Sequence, residues 1–188
     1  MDNKFNMILS EYNSLKSEQL ERIKIRDTLI YISLGIFGAI FSYVMTGDHT
    51  NDKAIVLLIL PTISFILAWM YIVNDEKVSQ IGKYIRYNLS EKLKKITNQD
   101  DLISFGWEQY HRNDNKRSWR KTLQIASDLM TFVVPSIVSI GTYFFILKPD
   151  ASQLLKFLTY LDVAIVGFTA WLIIYFDHSE RKKDSQID

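Results

Sequence analysis

Residues 54–73 read AIVLLILPTISFILAWMYIV, twenty positions without a charged side chain. A helix of about 20 apolar residues covers the roughly 30 Å of a bilayer's hydrocarbon core. Three further stretches read the same way: residues 28–45 (TLIYISLGIFGAIFSYVM), 129–147 (LMTFVVPSIVSIGTYFFIL) and 157–176 (FLTYLDVAIVGFTAWLIIYF). The first three of the four, in chain order, carry no charge, and the fourth carries Asp162 alone. A helix in a soluble bundle keeps a polar face toward water, whereas these are apolar all round, which argues against a soluble core. The expectation is an all-α, integral membrane four-helix protein with cytoplasmic helical extensions and both termini inside.

Working outward, the loops set the topology. Residues 46–53 and 148–156 are short, so each joins an antiparallel pair, and the one long connection runs over 74–121. Basic residues gather on the cytoplasmic side of membrane proteins. Of the 22 Lys and Arg, five precede the first span, eleven lie between Lys77 and Lys121, and three follow the fourth. Only Lys53, Lys148 and Lys156 fall in the short connections. The predicted division is therefore a cytoplasmic amphipathic helix (1–27), a first hairpin (28–73), a cytoplasmic helical region (74–121), a second hairpin (122–176) and a cytoplasmic tail (177–188). The polar first 27 residues predict an uncleaved anchor in place of a signal peptide. The implied location is the inner (plasma) membrane. Tyr31, Tyr43, Trp69, Tyr71, Trp119, Tyr143, Tyr160, Trp171 and Tyr175 stand near span ends, where aromatic rings anchor.

Composition removes several function classes. The chain has no cysteine, hence no disulfide framework or thiol chemistry, and its net charge of +1 gives no bulk attraction to nucleic acid. Its three histidines, His49, His111 and His178, form no metal constellation. Glu108 and His111 have ligand spacing but are too few for a site. Phosphate-loop, dinucleotide and nucleophile-elbow patterns are missing. The sequence thus predicts no enzyme, catalytic residue, metal or cofactor.

The polar parts read as helices. Phe5, Ile8, Leu9, Tyr12, Leu15, Leu20 and Ile23 make an apolar stripe, and no proline or glycine interrupts the run before Gly35. One long helix from about Lys4 into the first span is expected, its stripe needing a partner. Val78, Ile81, Ile85, Leu89, Leu93 and Ile96 extend the second span similarly, to a break at Thr97–Asp101. Asp100 or Asp101 then caps a short helix beginning near Leu102.

Three motifs resemble those of a family of small four-span membrane proteins of bacteria and archaea, uncharacterised in function. They are Tyr12-x-x-Leu15-Lys16-x-Glu18 before the first span, Ile81-Gly82-Lys83-Tyr84-Ile85-Arg86 after the second, and Gly106-Trp107-Glu108-Gln109-Tyr110. The likeness covers roughly the first 110 residues. It singles out Gly82, Tyr84, Arg86, Gly106, Trp107, Glu108 and Tyr110 as a cytoplasmic motif, and implies no catalytic residues. The architecture is also similar to membrane effectors of prokaryotic antiphage systems, which oligomerise and breach the bilayer.

Candidate site residues follow from the physics of spans. Asp162 sits near the outer end of the fourth and Asp128 at the inner entrance of the third, and intramembrane carboxylates mark ion paths or water. Gly35, Gly38, Ala39 and Ser42, with Ser136, Ser139 and Gly141, are small residues at helix-packing spacing. Pro61 and Pro135 are expected to kink their spans. The leading expectation is an oligomeric membrane effector or channel gated through its cytoplasmic helices; its alternative is a non-catalytic anchor or scaffold for a soluble partner. A transporter ranks last, because the middles of the spans read as apolar. Expected partners are the lipid bilayer, further copies of the chain, and a cytosolic protein or anionic ligand drawn by the basic residues.

Overall fold

The computed structural model describes residues 2–47, 51–97, 117–147 and 153–185. Among these every regular element is helical: α1 (Asp2–Met45), α2 (Asn51–Tyr84), a π-helical turn (Ile85–Leu89), α3 (Ser90–Thr97), α4 (Arg117–Phe132), α5 (Val134–Thr142), a second π turn (Tyr143–Leu147) and α6 (Gln153–Ser185). Four helical segments are long and apolar enough to cross a membrane: Asn3–Met45, Asp52–Thr97, Trp119–Phe145 and Leu155–Ser179. The short helix expected near Leu102 lies outside the described residues.

The chain forms two compact units, Met1–Asp27 with Val73–Lys121, and Thr28–Ile72 with Thr122–Asp188. In the first unit part of the apolar stripe of α1 finds a partner, while Phe5, Leu9 and Leu20 stay exposed. Ile8, Tyr12 and Leu15 pack with Ile81, Tyr84, Ile85, Leu89, Leu93 and Ile96. Ile85 and Leu89 are fully buried. From Ile81 to Leu93 these positions recur every four residues, which an α-helix of 3.6 residues per turn carries steadily around its axis. The wider π turn at Ile85–Leu89 takes up part of that drift and keeps the row on one face. Polar ties surround the cluster. Gln19 Nε2 donates to the Val78 carbonyl at 3.2 Å, and Arg26 Nη1 lies 2.8 Å from Asp75.

The second unit is the apolar one. One cluster joins Leu29, Ala68, Tyr71, Ile72, Phe132, Val133, Leu172 and Ile173; a second joins Val44, Ala54, Leu57, Leu58, Tyr143 and Leu155. α1 ends at Met45 with Gly47 at φ +70°, a left-handed closing position that glycine adopts without strain. The buried Lys53 donates to the carbonyls of Val44 in α1 (3.4 Å) and of Thr46 just after it, satisfying groups that a helix end leaves open.

Pro61 and Pro135 each leave a mark. Proline has no N–H for the carbonyl four residues earlier. Pro61, inside α2, therefore frees the Leu57 carbonyl, and Pro135, in the first turn of α5, frees that of Thr131. Each freed carbonyl is taken by a serine from another helix: Ser139 Oγ donates to Leu57 O at 2.6 Å, and Ser33 Oγ donates to Thr131 O at 3.3 Å. The expected disturbance in the third span falls at Val133, between α4 and α5. There φ is −99° and ψ −51°, while Val133 N still donates to Leu129 O (2.9 Å) and Ile137 N to Val133 O (3.1 Å).

This pairing predicts a coupled mutational response. Ser139→Ala should lower stability by about 1 kcal/mol, the scale of interhelical hydrogen bonds in apolar surroundings. In a Pro61→Ala background the cost should shrink, because the backbone N–H restored at position 61 can take Leu57 O. Denaturant unfolding of the four variants of this cycle measures the coupling, and additive effects would show that the serine does not serve the proline's carbonyl.

Candidate functional site: a polar layer inside an apolar bundle

In the second unit polarity runs inside out. Phe145 is 80% exposed, Tyr160 77% and Tyr31 73%, and Ile59, Ile66, Met130, Ile137 and Ile174 also face outward. The buried positions include Ser33, Ser64, Ser136, Ser139, Thr159, Asp162 and Thr169. Exposed apolar surface on this scale marks a surface made for lipid or for a partner.

Several of the buried polar side chains fall in the interval between the two clusters. On α1 the residues packed in or against the two clusters are Leu29 and Ile30 for one and Ile40, Phe41 and Val44 for the other, and Ser33 lies between. On α2 the interval from Leu58 to Phe65 holds Leu60, Pro61 and Ser64. Between Val133 and Tyr143 stand Ser136 and Ser139. On α6 Leu158 belongs to one cluster and Val166 to the other, with Asp162 midway. Each of the four helical segments thus contributes at least one polar side chain to the interval between two apolar clusters. In that interval the outward side chains are apolar, while the inward ones mix Ser33, Ser64, Ser136, Ser139 and Asp162 with Phe37, Leu60 and Pro61.

Asp162 is 2% exposed, and its Oδ2 has no hydrogen-bond partner among the described residues. A buried carboxylate oxygen without a donor is costly and calls for an occupant or a function. The hydroxyls around the layer do not serve it. Ser33 donates to Thr131 O, Ser136 to Phe132 O (3.2 Å) and Ser139 to Leu57 O. Thr159 donates to Leu155 O and Thr169 to Ile165 O, each at 2.8 Å. A hydroxyl has one proton and two acceptor positions, so each of these oxygens is left as an acceptor.

The other predicted positions separate. Asp128 is buried on α4, beside the cluster member Leu129, and it is not free of partners. Gly35, Gly38, Ala39 and Ser42 all lie on the exposed side of α1. A Cβ added at Gly35, Gly38 or Gly141 would meet no atom within 4 Å, so no close approach inside this chain needs those glycines. Ser136 and Ser139, by contrast, are fully buried. Gly106, Trp107, Glu108 and Tyr110 lie outside the described residues, as do His49 and His111. Among the described residues no group of His, Cys, Asp and Glu is placed to hold a metal.

The remaining motif residues belong to the first unit. Gly82 is buried, and the half-buried Arg86 sets its guanidinium 5.6 Å over the Tyr87 ring. Tyr84 OH donates to Glu11 Oε1 at 2.6 Å and accepts from Lys92 Nζ at 2.9 Å, with Lys92 3.6 Å from Glu11. The Tyr84 hydroxyl raises the Lys92 pKa above the ordinary 10.5, with Glu11 adding to it. Beside it Lys95, 2.6 Å away, holds the Glu91 carboxyl below 4.5. An open groove of about 400 Å³ lies over this triad, lined by Lys4, Met7, Ile8, Glu11, Lys92, Lys95 and Ile96.

Sequence reasoning found Asp162 and the two prolines but passed over Ser33, Ser64 and the freed carbonyls. The i−4 rule names Leu57 and Thr131 from the sequence alone; only the fold names their donors. No protein-family model, curated protein or solved structure matches the chain.

The Tyr84 bridge has a titration consequence. A lysine pKa raised by folding supports the fold below 10.5, and that support is lost as pH climbs through the higher folded value. Tyr84→Phe should bring Lys92 back toward 10.5, read from its side-chain NMR titration. An unchanged curve would show that the hydroxyl does not hold the ammonium.

Proposed function

We propose that the chain is a multi-pass protein of the plasma (inner) membrane, and that it acts as an oligomeric, channel-like effector passing cations through its apolar bundle. The observation that carries this reading is the buried Asp162, whose Oδ2 has no donor among the described residues, in a bundle whose outward side chains are apolar. A water-soluble protein has no reason to invert its polarity in this way, and intramembrane carboxylates commonly mark ion routes. The two apolar clusters stand on either side of the layer as barriers, since hydrophobic constrictions close a path by excluding water.

Both ends of the chain and residues 74–121 lie on the cytoplasmic side in this reading, following the Lys and Arg distribution. α1 supplies residues to both compact units as one unbroken helix, and this supports gating through the cytoplasmic helices. The exposed Gly35, Gly38, Ala39 and Ser42 are where copies would meet, because small residues let helices approach closely. A second reading, a cation-coupled transporter, gains from the irregular turn at Val133 and the polar mid-bundle, both features of transporter sites.

Topology is checked with single cysteines in this cysteine-free chain. Cysteine at Lys4 or Lys183 should react with an impermeant maleimide only after cells are opened, and at Asp52 in intact cells. The reverse pattern would overturn the orientation. Conduction is checked in proteoliposomes with an imposed potential, comparing the native chain, Ile85→Ala to loosen the cytoplasmic cluster, and each with Asp162→Ala. The expected result is cation flux that Ile85→Ala raises and Asp162→Ala abolishes. Flux no greater than in empty vesicles for both the native chain and Ile85→Ala would sink the channel. Flux that needs a counter-moving ion would select the transporter.

A further inference from the structure

The groove over the Tyr84 bridge lies wholly within the first unit. Two helix faces make it. Lys4, Ile8 and Glu11 recur at steps of four and three along α1, with Met7 beside them, and Lys92, Lys95 and Ile96 share one face of α3. Met7, Ile8 and Ile96 give it an apolar lining, which the lysine methylenes extend. Its charge is positive, three ammonium groups standing against one carboxylate. That carboxylate is already engaged, since Glu11 accepts from Tyr84 OH at 2.6 Å and has Lys92 at 3.6 Å. Lys95 is paired with Glu91, but both side chains are exposed, and such a pair is worth little. Lys4 makes no ion pair or hydrogen bond among the described residues.

We infer that this groove binds a small single-chain amphiphile with an anionic oxygen head group, taken up from water. Its volume of about 400 Å³ is that of a small-molecule site, and its mainly apolar lining with a few charged groups is the usual make-up of one. The lining takes the chain. The head is met by the uncommitted ammonium of Lys4 and by the N–H groups that Lys92 and Lys95 keep after their own partners, each ammonium having three. Lysine is a point charge without a planar fork to match, so carboxylate, sulfate and phosphate heads are all admitted and the apolar chain supplies the selection. Uptake from water follows from position: Met7 precedes Thr28, the start of the first apolar run, by about 30 Å of unbroken helix. The inference deepens the proposed function by naming the chemical class that the cytoplasmic helices read. That role rests on the channel reading, and the binding does not.

Methyl NMR tests it, because the chain has five methionines and Met7 lines the groove. The full chain, with isotope-labelled methionine methyls, is placed in phosphatidylcholine nanodiscs, and the Met7 signal is identified by its loss in Met7→Leu. The probe is sodium decanoate below its micellar concentration. It should shift the Met7 methyl to saturation and give no saturating shift at Met45, Met70 or Met130. Acetate, which has the head alone, and decyltrimethylammonium, which reverses the charge, should not reproduce the shift. Lys4→Gln alters a side chain with no polar contact among the described residues, and should raise the apparent Kd about three- to fivefold, the scale of an exposed ion pair. A Met7 signal that decanoate leaves unmoved, or that decyltrimethylammonium moves equally, would overturn the site. An unchanged Kd in Lys4→Gln would overturn the recognition of the anionic head. Phosphatidylglycerol in the nanodisc producing the same shift without decanoate would assign the groove to a bilayer lipid and overturn uptake from water. A saturating response at Met7 without vesicle flux would retain the site and remove the channel, while flux without the response would do the reverse.

Discussion

A carbonyl that loses its helical partner in apolar surroundings has to find another donor, and much of the apolar bundle is arranged around that requirement. Water would serve elsewhere, but a buried unpaired carbonyl costs on the order of 1–3 kcal/mol. Pro61 and Pro135 each create one such group, and each is met by a serine on a neighbouring segment. One bond ties the segment after α4 to α2, and the other ties α1 to α4. Three of the four helical segments are thereby fixed in register by two hydrogen bonds that their own prolines make necessary.

The same arrangement accounts for the layer. Serines brought inward to satisfy carbonyls dilute the apolar core at the level where they stand, so the packed residues separate into a cluster at either side. Asp162 occupies the gap on α6. An ionised carboxylate is among the least tolerable groups in an apolar interior, and a helix gains nothing structural from it that leucine would not supply. Ser33 and Ser139 have structural reasons to be where they are. Asp162 has none that the packing supplies, which sets it apart from those two serines.

The four apolar helices were legible from runs of side chains alone, as was the extension of the second one past Val73, because both signals are local: length, charge-free composition and a three-to-four-residue recurrence. The interruption of the third segment was legible too, since Pro135 must disturb the turn before it. What the sequence hid is which way each residue points. Asp162 reads as an outer-end charge when counted from the first phenylalanine of its span; in the fold, Leu155 and Leu158 before it already belong to a packed cluster, so it stands midway between two cores. Gly35 and Gly38 have the spacing of a packing face, yet the face that packs is the one bearing Leu29, Ser33, Phe37 and Val44. With apolar residues on all sides, a helix carries no moment to announce its inner face, and its orientation is set by partners far along the chain.

The polar unit follows the opposite logic, and this explains why its stripe could be read from sequence. There part of α1 is amphipathic, and the rows Ile8–Tyr12–Leu15 and Ile81–Ile85–Leu89 find each other for the ordinary hydrophobic reason. The carboxylates and lysines at its rim, Glu11, Lys92, Glu91 and Lys95, are satisfied by one another and by Tyr84. α1 therefore passes from a setting where burial is driven by water to one where register is driven by hydrogen bonds, without a break in its backbone between Asp2 and Met45. Its polar end is held by apolar packing and its apolar end by a polar contact, Ser33 to Thr131.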